Sequence, residues 1–358
     1  MFVRILLVMA LVFSSHAAFA SDIVSKVFPL ERNGVKLYLE RMQATDGEPH
    51  EYQSDVLSEE DVMSDEGVIS DAGVTSETGV MSDAGYKPDT NSPVMHDGVS
   101  KQILLAHGLT YSSHEFDVNV GDYSLARFLV DNGYSVWLLD IAGYGRSEKV
   151  EDGFSVNSDT AAEDIAAAAK LILETSGQEK LDILGWSWGT VTGGRFAAKY
   201  PEMVRKLVLY APILTGLAEV NVDDHYIIPT WAHAASDFQT KADKTIDYDI
   251  VEQLVADTFL SNCWRYDGAG SPNGGRRDLL VSPENRLIPT SQIKAPTLMI
   301  MGDKDEYLNV VYCRGTLSSL PEGSQIKVIP GAAHAMLLEA PYYVEFRDAV
   351  INFLQNEE

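Results

Sequence analysis

The sequence predicts an α/β fold, a doubly wound and mostly parallel sheet, and two observations carry that prediction. Short, nearly continuous apolar runs ("KQILLAHG", "YSVWLLD", "KLDILGW", "RKLVLYAP") alternate with longer amphipathic stretches. Strands that are apolar on both faces belong to parallel sheets covered by helices on either side. The rhythm stops after Pro212 and resumes at "APTLMIMGD", as an insertion between two strands of one sheet would make it.

The elements follow in order. "VFPLERNGVKLYLERMQA" alternates apolar and polar residues on either side of Asn33-Gly34, the strongest short signal for a hairpin. After the strand in "KQILLAHG" come a helix over 122–132 closed by Gly133, the strand "YSVWLLD", and a helix over 158–175 closed by Gly177. "KLDILGW" leads into a helix over 188–200, and "RKLVLYAP" completes the first part of the core. The second part reads "APTLMIMGD", a helix over 309–319, "QIKVIPG" and a terminal helix over 341–355. The core therefore comprises residues 21–44, 100–212 and 291–358. Residues 213–290 are expected to form a helical cap, with an amphipathic helix near 249–261 and aromatic side chains at Trp231, Phe238, Tyr248, Phe259, Trp264 and Tyr266.

The chain has 358 residues and opens "MFVRILLVMALVFSSHAAFA". One arginine, an apolar run and a small-x-small ending at Ala18 and Ala20 predict a signal peptide over 1–20, cleaved before Ser21. That apolar run is too short to span a bilayer, and so is every later one, so no stable membrane insertion is expected. The expected location is secreted or periplasmic.

A net charge of −26 excludes nucleic-acid binding, which needs a basic surface. About half of that charge lies in residues 45–99, where fourteen Asp or Glu meet one Lys. From Asp55 the chain repeats DVLSEE, DVMSDE, GVISDA, GVTSET and GVMSDA, with Val second, Ser fourth and an acid fifth. One Val per hexad buries too little to offset the ordering entropy, so this insertion is expected to be disordered rather than a solenoid. Neither the EF-hand loop nor the glycine-rich calcium β-roll pattern is present. Cys263 and Cys313 allow one disulfide in an oxidising compartment, two free thiols being the alternative. Their spacing fits no zinc motif, and no cofactor is expected.

The chemistry concentrates in "ILGWSWGTVTGG". Ser187 falls between an apolar strand and a helix, at the carboxyl end of the sheet where ligands bind. A turn that sharp would bring side chains at 185 and 189 against neighbouring backbone, which Gly185 and Gly189 avoid. A serine hydroxyl also needs a base. Of the eight histidines only His334 follows a late strand, in "GAAHAMLLEAP". The acid should follow the preceding strand in "GDKDEYL", where Asp303, Asp305 and Glu306 compete. Asp305 is best placed to turn back toward His334, with Asp303 as runner-up in a turn-bracing role. The attack creates an oxyanion, for which the N–H groups of Trp188 and Leu109 are the candidate donors. His107 is expected to brace the loop that carries Leu109.

Together "LLAHGLT", "DIAGYGRSE", "LDILGWSWGT", "LMIMGDKDEYL" and "PGAAHAMLLEAP" resemble the α/β-hydrolase fold superfamily, in particular its capped lipase, esterase and peptidase-like members. The resemblance covers roughly 101–355 and implies Ser187, Asp305 and His334 as triad, with Leu109 and Trp188 as oxyanion hole. The serine departs from the aspartate nucleophile of haloalkane dehalogenases and epoxide hydrolases. "GWSWG" is similar to the "GGSWG" of proline iminopeptidases, whose "HGGPG" loop is replaced here by "HGLTY". The expected function is cleavage of a carboxylic ester through an acyl-enzyme, on a small-molecule, apolar acyl substrate whose pocket Trp186 and Trp188 would line, packing of the elbow against the cap being the alternative role for the two tryptophans. The alternatives on the same triad are peptidase, thioesterase or acyltransferase activity. A secreted binding protein on a hydrolase scaffold is the non-enzymatic alternative. Oligomeric state is left open.

Overall fold

Asn33 and Gly34 both take positive φ (53° and 82°), the two-residue turn that matches the twist of a hairpin. They join β1 (Ile23–Arg32) to β2 (Val35–Ala44), antiparallel over their whole length. The computed structural model describes residues 22–45 and 100–356; the expected signal peptide and acidic hexads lie outside the described residues.

From there the chain winds through β3 (Lys101–Ala106), α1 (Leu125–Asp131), β4 (Tyr134–Asp140), α2 (Ser158–Ser176), β5 (Leu181–Trp186), α3 (Trp188–Lys199) and β6 (Val204–Tyr210). Residues between β6 and the next core strand carry β7 (Tyr226–Ile227), α4 (Trp231–Ala235), α5 (Gln253–Asp267), β8 (Ser271–Pro272) and α6 (Gly274–Leu279). The chain then completes β9 (Thr297–Gly302), α7 (Val310–Thr316), β10 (Gln325–Ile329) and α8 (Tyr343–Gln355). One eight-stranded sheet runs β1-β2-β4-β3-β5-β6-β9-β10, parallel from β4 to β10, while β7 and β8 pair separately.

The central strands β3, β4, β5, β6 and β9 bury both faces, as their apolar runs predict. On β3, Ile103 and Leu105 join the layer that contains α1, α5 and α8, whereas Leu104 and Ala106 join the layer of α2, α3 and α7. The two cysteines are buried free thiols in these opposite layers, Cys263 in the first and Cys313 in the second, so the sheet separates them.

Element bounds follow local chemistry. Helix α1 starts three residues later than its pattern suggests, because Ser124 caps it by accepting from the Arg127 N–H. Helix α2 begins in a capping box of Asn157 and Thr160 and ends at Gly177, whose φ of 70° is left-handed. Helix α5 runs from 253 to 267 rather than 249–261. Its buried stripe is Val255, Ala256, Phe259, Leu260 and Cys263, and it ends on the buried Asp267. No helix among the described residues is long and apolar enough to cross a membrane.

Candidate active site

Every residue from Leu181 to Gly194 is buried except Ser187. The reason is the turn between β5 and α3. Ser187 has φ 55° and ψ −117°, outside the regions a serine ordinarily occupies. Its N–H donates to the Tyr210 carbonyl at 3.0 Å, and its own carbonyl accepts from the Thr190 N–H (2.9 Å) and hydroxyl (2.5 Å). A Cβ on Gly185 would lie 2.1 Å from the Gly189 carbonyl oxygen, and one on Gly189 would lie 2.0 Å from that of Ala106. No side chain fits at either position. The glycines let the turn close, and the turn lifts the serine into a cavity of about 190 Å³.

His334 lines the same cavity. It sits in the loop after β10, and its carbonyl accepts from Tyr210 Oη (2.6 Å) and Trp186 Nε1 (3.2 Å). Its Nδ1 lies 2.7 Å from Asp305 Oδ2. Of the three acids after β9 only Asp305 is buried. Its other oxygen accepts from the Tyr307 N–H at 3.0 Å. Asp303 is exposed and accepts from the Gly331 N–H at 2.8 Å, which ties the β9 and β10 loops together; Glu306 is exposed. Burial alone would lower the His334 pKa. The Asp305 carboxylate, helped by Asp237 and Glu339, outweighs burial and holds it above its ordinary value.

The loop after β3 lies against the serine, with Gly108 so close that a Cβ there would be 3.4 Å from that of Ser187. His107 is wholly buried. Its Nε2 accepts from the Ile141 N–H at 3.1 Å, so its proton is on Nδ1, which donates to the Gly108 carbonyl at 2.8 Å. Burial lowers its pKa and keeps it neutral. A trans peptide points its C=O and N–H in opposite directions. Anchoring the Gly108 carbonyl on His107 therefore turns the Leu109 N–H the other way, and Leu109 lines the cavity. The Trp188 N–H, first in α3, has no acceptor within its own helix.

Several cavity residues were not found by motif. Glu115 accepts from the Gly108 N–H at 2.8 Å, and burial pushes its carboxyl well above the usual range. His233, Asp237 and Arg276 reach the cavity from the segment between β6 and β9. Glu339 supports the His334 loop, accepting from the Ala333 N–H at 3.2 Å and from Gln239 Nε2 at 3.0 Å. None of these lies in a repeating or glycine-marked pattern; each is brought in by tertiary packing. The two tryptophans divide. Trp186 lines the cavity and stacks on Tyr210, whereas Trp188 is buried, packs against Tyr144 and donates to Ser158 Oγ at 2.9 Å.

Residues 101–251 match the family model of the α/β hydrolase fold. A non-heme haloperoxidase of Rhodococcus erythropolis is 24% identical over 67% of this chain and 87% of its own length. Lipase member M of Homo sapiens is 32% identical over 45% of this chain, and the chain spans 42% of that lipase. The crystal structure of a bromoperoxidase from Bacillus anthracis superposes with a TM-score of 0.57 at 18% identity, covering 93% of this chain and all of the other. With the sheet order β1-β2-β4-β3-β5-β6-β9-β10, these likenesses give the chain an α/β-hydrolase fold.

Proposed function

We propose that this protein is an exported serine hydrolase that cleaves carboxylic esters through an acyl-enzyme, with residues 213–290 as its cap. The observation that carries the reading is the 2.7 Å contact between Asp305 and His334 Nδ1, in a cavity shared with Ser187. With Nδ1 committed to the carboxylate, a neutral His334 has Nε2 free to accept the Ser187 proton.

Ser187 Oγ then bonds to the ester carbonyl carbon as its proton passes to Nε2. The carbonyl oxygen becomes an oxyanion, met by the N–H groups of Leu109 and Trp188; one such donor is worth about 2.7–4 kcal/mol. Collapse breaks the bond to the alcohol oxygen, which takes the proton from His334. Water repeats the sequence on the acyl-enzyme, and the acid leaves. The likeness to a lipase supports the ester bond as the target.

The test is turnover of 4-nitrophenyl acetate and butyrate by wild type, Ser187→Ala and His334→Ala. Each substitution should remove nearly all activity, and the double variant should be little worse, because the residues act as a unit. Unchanged turnover in Ser187→Ala would refute the reading.

A further inference from the structure

Helix α6 sits directly on the elbow. A Cβ on Gly275 would be 2.5 Å from the Trp188 indole and 2.9 Å from Leu109 Cδ2, so the helix touches both candidate oxyanion residues. The next residue is Arg276, and its partly buried guanidinium lines the cavity with Ser187 and His334. Nη1 donates to Asn273 Oδ1 at 2.6 Å and Nη2 to Thr110 Oγ1 at 2.8 Å. These contacts hold the fork from two sides and leave the rest of its N–H groups for another acceptor. No carboxylate among the described residues forms an ion pair with it within 4.0 Å.

Thr110 shows how firmly the position is held. Its φ is 82°, which a β-branched residue seldom adopts. Its carbonyl accepts from Ser271 Oγ at 2.5 Å, and its hydroxyl, bound by Arg276, also lies 3.4 Å from His233 Nε2. Burial and the Arg276 charge lower the His233 pKa, which leaves that ring neutral. Asp237 and Glu115 share the cavity. Burial pushes Asp237 up to about 7 and Glu115 well above its usual range, and neither forms an ion pair with the guanidinium. In a protein of net charge −26, a positioned, partly buried cation with no carboxylate of the described residues within ion-pair distance is an exception. Buried charges are normally paired, and a guanidinium fork matches a carboxylate bidentately.

We propose that Arg276 binds a carboxylate carried by the substrate, which makes it a specificity-determining residue for anionic esters. This rests on the ester-hydrolase reading above. Two matched pairs test it: mono-4-nitrophenyl glutarate against 4-nitrophenyl valerate, with the charge on the acyl side, and 4-acetoxybenzoate against phenyl acetate, with it on the alcohol side. In at least one pair the wild-type ratio of kcat/KM, anionic over neutral, should drop about tenfold or more in Arg276→Met, with Arg276→Lys between. If Arg276→Met does not fold, Arg276→Gln gives the same comparison. Titrating each pair into Ser187→Ala by tryptophan fluorescence reads the preference without turnover. If both pairs are hydrolysed with ratios the substitutions do not change, the proposal is overturned and the esterase stands. If no ester is hydrolysed, the esterase reading fails, and the Ser187→Ala titration still decides whether Arg276 selects anions.

Discussion

Trp186 Nε1 donates to the backbone carbonyl of His334 across 3.2 Å, so the residue before the serine supports the residue that would deprotonate it. Tyr210 Oη shares that carbonyl at 2.6 Å. Trp186→Phe keeps an aromatic ring on Tyr210 but removes one bond of a pair, about 0.5–1.5 kcal/mol. The expected outcome is a several-fold loss of kcat. Adding Tyr210→Phe should cost more than the two single losses combined, because each bond compensates for the other. Steady-state kinetics on the four proteins would check this.

The pH profile follows from the His334 environment. A base must be neutral to accept a proton, so kcat/KM should fall as pH drops through a midpoint above the ordinary 6.5. Asp305→Asn should move the midpoint down as well as lower the plateau, and Asp237→Asn should move it down less. The linked stability has the opposite sense. A raised histidine contributes stability fully present below 6.5 and lost as pH rises through the folded value. Thermal unfolding across the same pH range reads that slope.

Glu115 is both the partner of the Gly108 N–H and a carboxyl that burial keeps protonated above its usual range. A carboxyl with a raised folded pKa makes the protein less stable as pH climbs from about 4.5 through the folded value. Glu115→Gln keeps an acceptor for Gly108 and removes that slope, so its stability relative to wild type should grow with pH. Glu115→Ala leaves the Gly108 N–H unpaired, at about 1–3 kcal/mol, and should also lower kcat. Urea unfolding at several pH values distinguishes the two.

Asp267, at the end of α5, accepts from the Ser112 N–H (3.1 Å) and hydroxyl (3.2 Å), the Gly145 N–H (3.0 Å) and His114 Nε2 (2.8 Å). It is completely buried and joins the segment between β6 and β9 to the loops after β3 and β4. Asp267→Ala strands several buried donors and should destabilise by about 3–5 kcal/mol. A fall in the urea midpoint would show it, and no measurable change would mean that water replaces the carboxylate.

What could be read from the sequence shares a physical cause. Asn33-Gly34, Gly177 and the Gly185/Gly189 pair are positions where backbone geometry restricts the residue type, so type reveals geometry. Its place in the loop favours Asp305 over Asp303 and Glu306 in the sequence, and in the structure it is the one of the three that is buried. The residues that escaped are those placed by distant packing. Arg276 reaches the cavity because Gly275 lets α6 close on Trp188, eighty-seven residues earlier in the chain. Helices α4 and α6 span five and six residues, too few for an apolar period to stand out.

The most direct measurement of the central claim is intact-mass and peptide-mapping analysis after treatment with a fluorophosphonate. One adduct per chain, on Ser187, is the expected result. It should be absent in Ser187→Ala and form far more slowly in His334→Ala. An adduct that persists in Ser187→Ala, or a correctly folded wild type that takes up no label, would contradict the serine-hydrolase account.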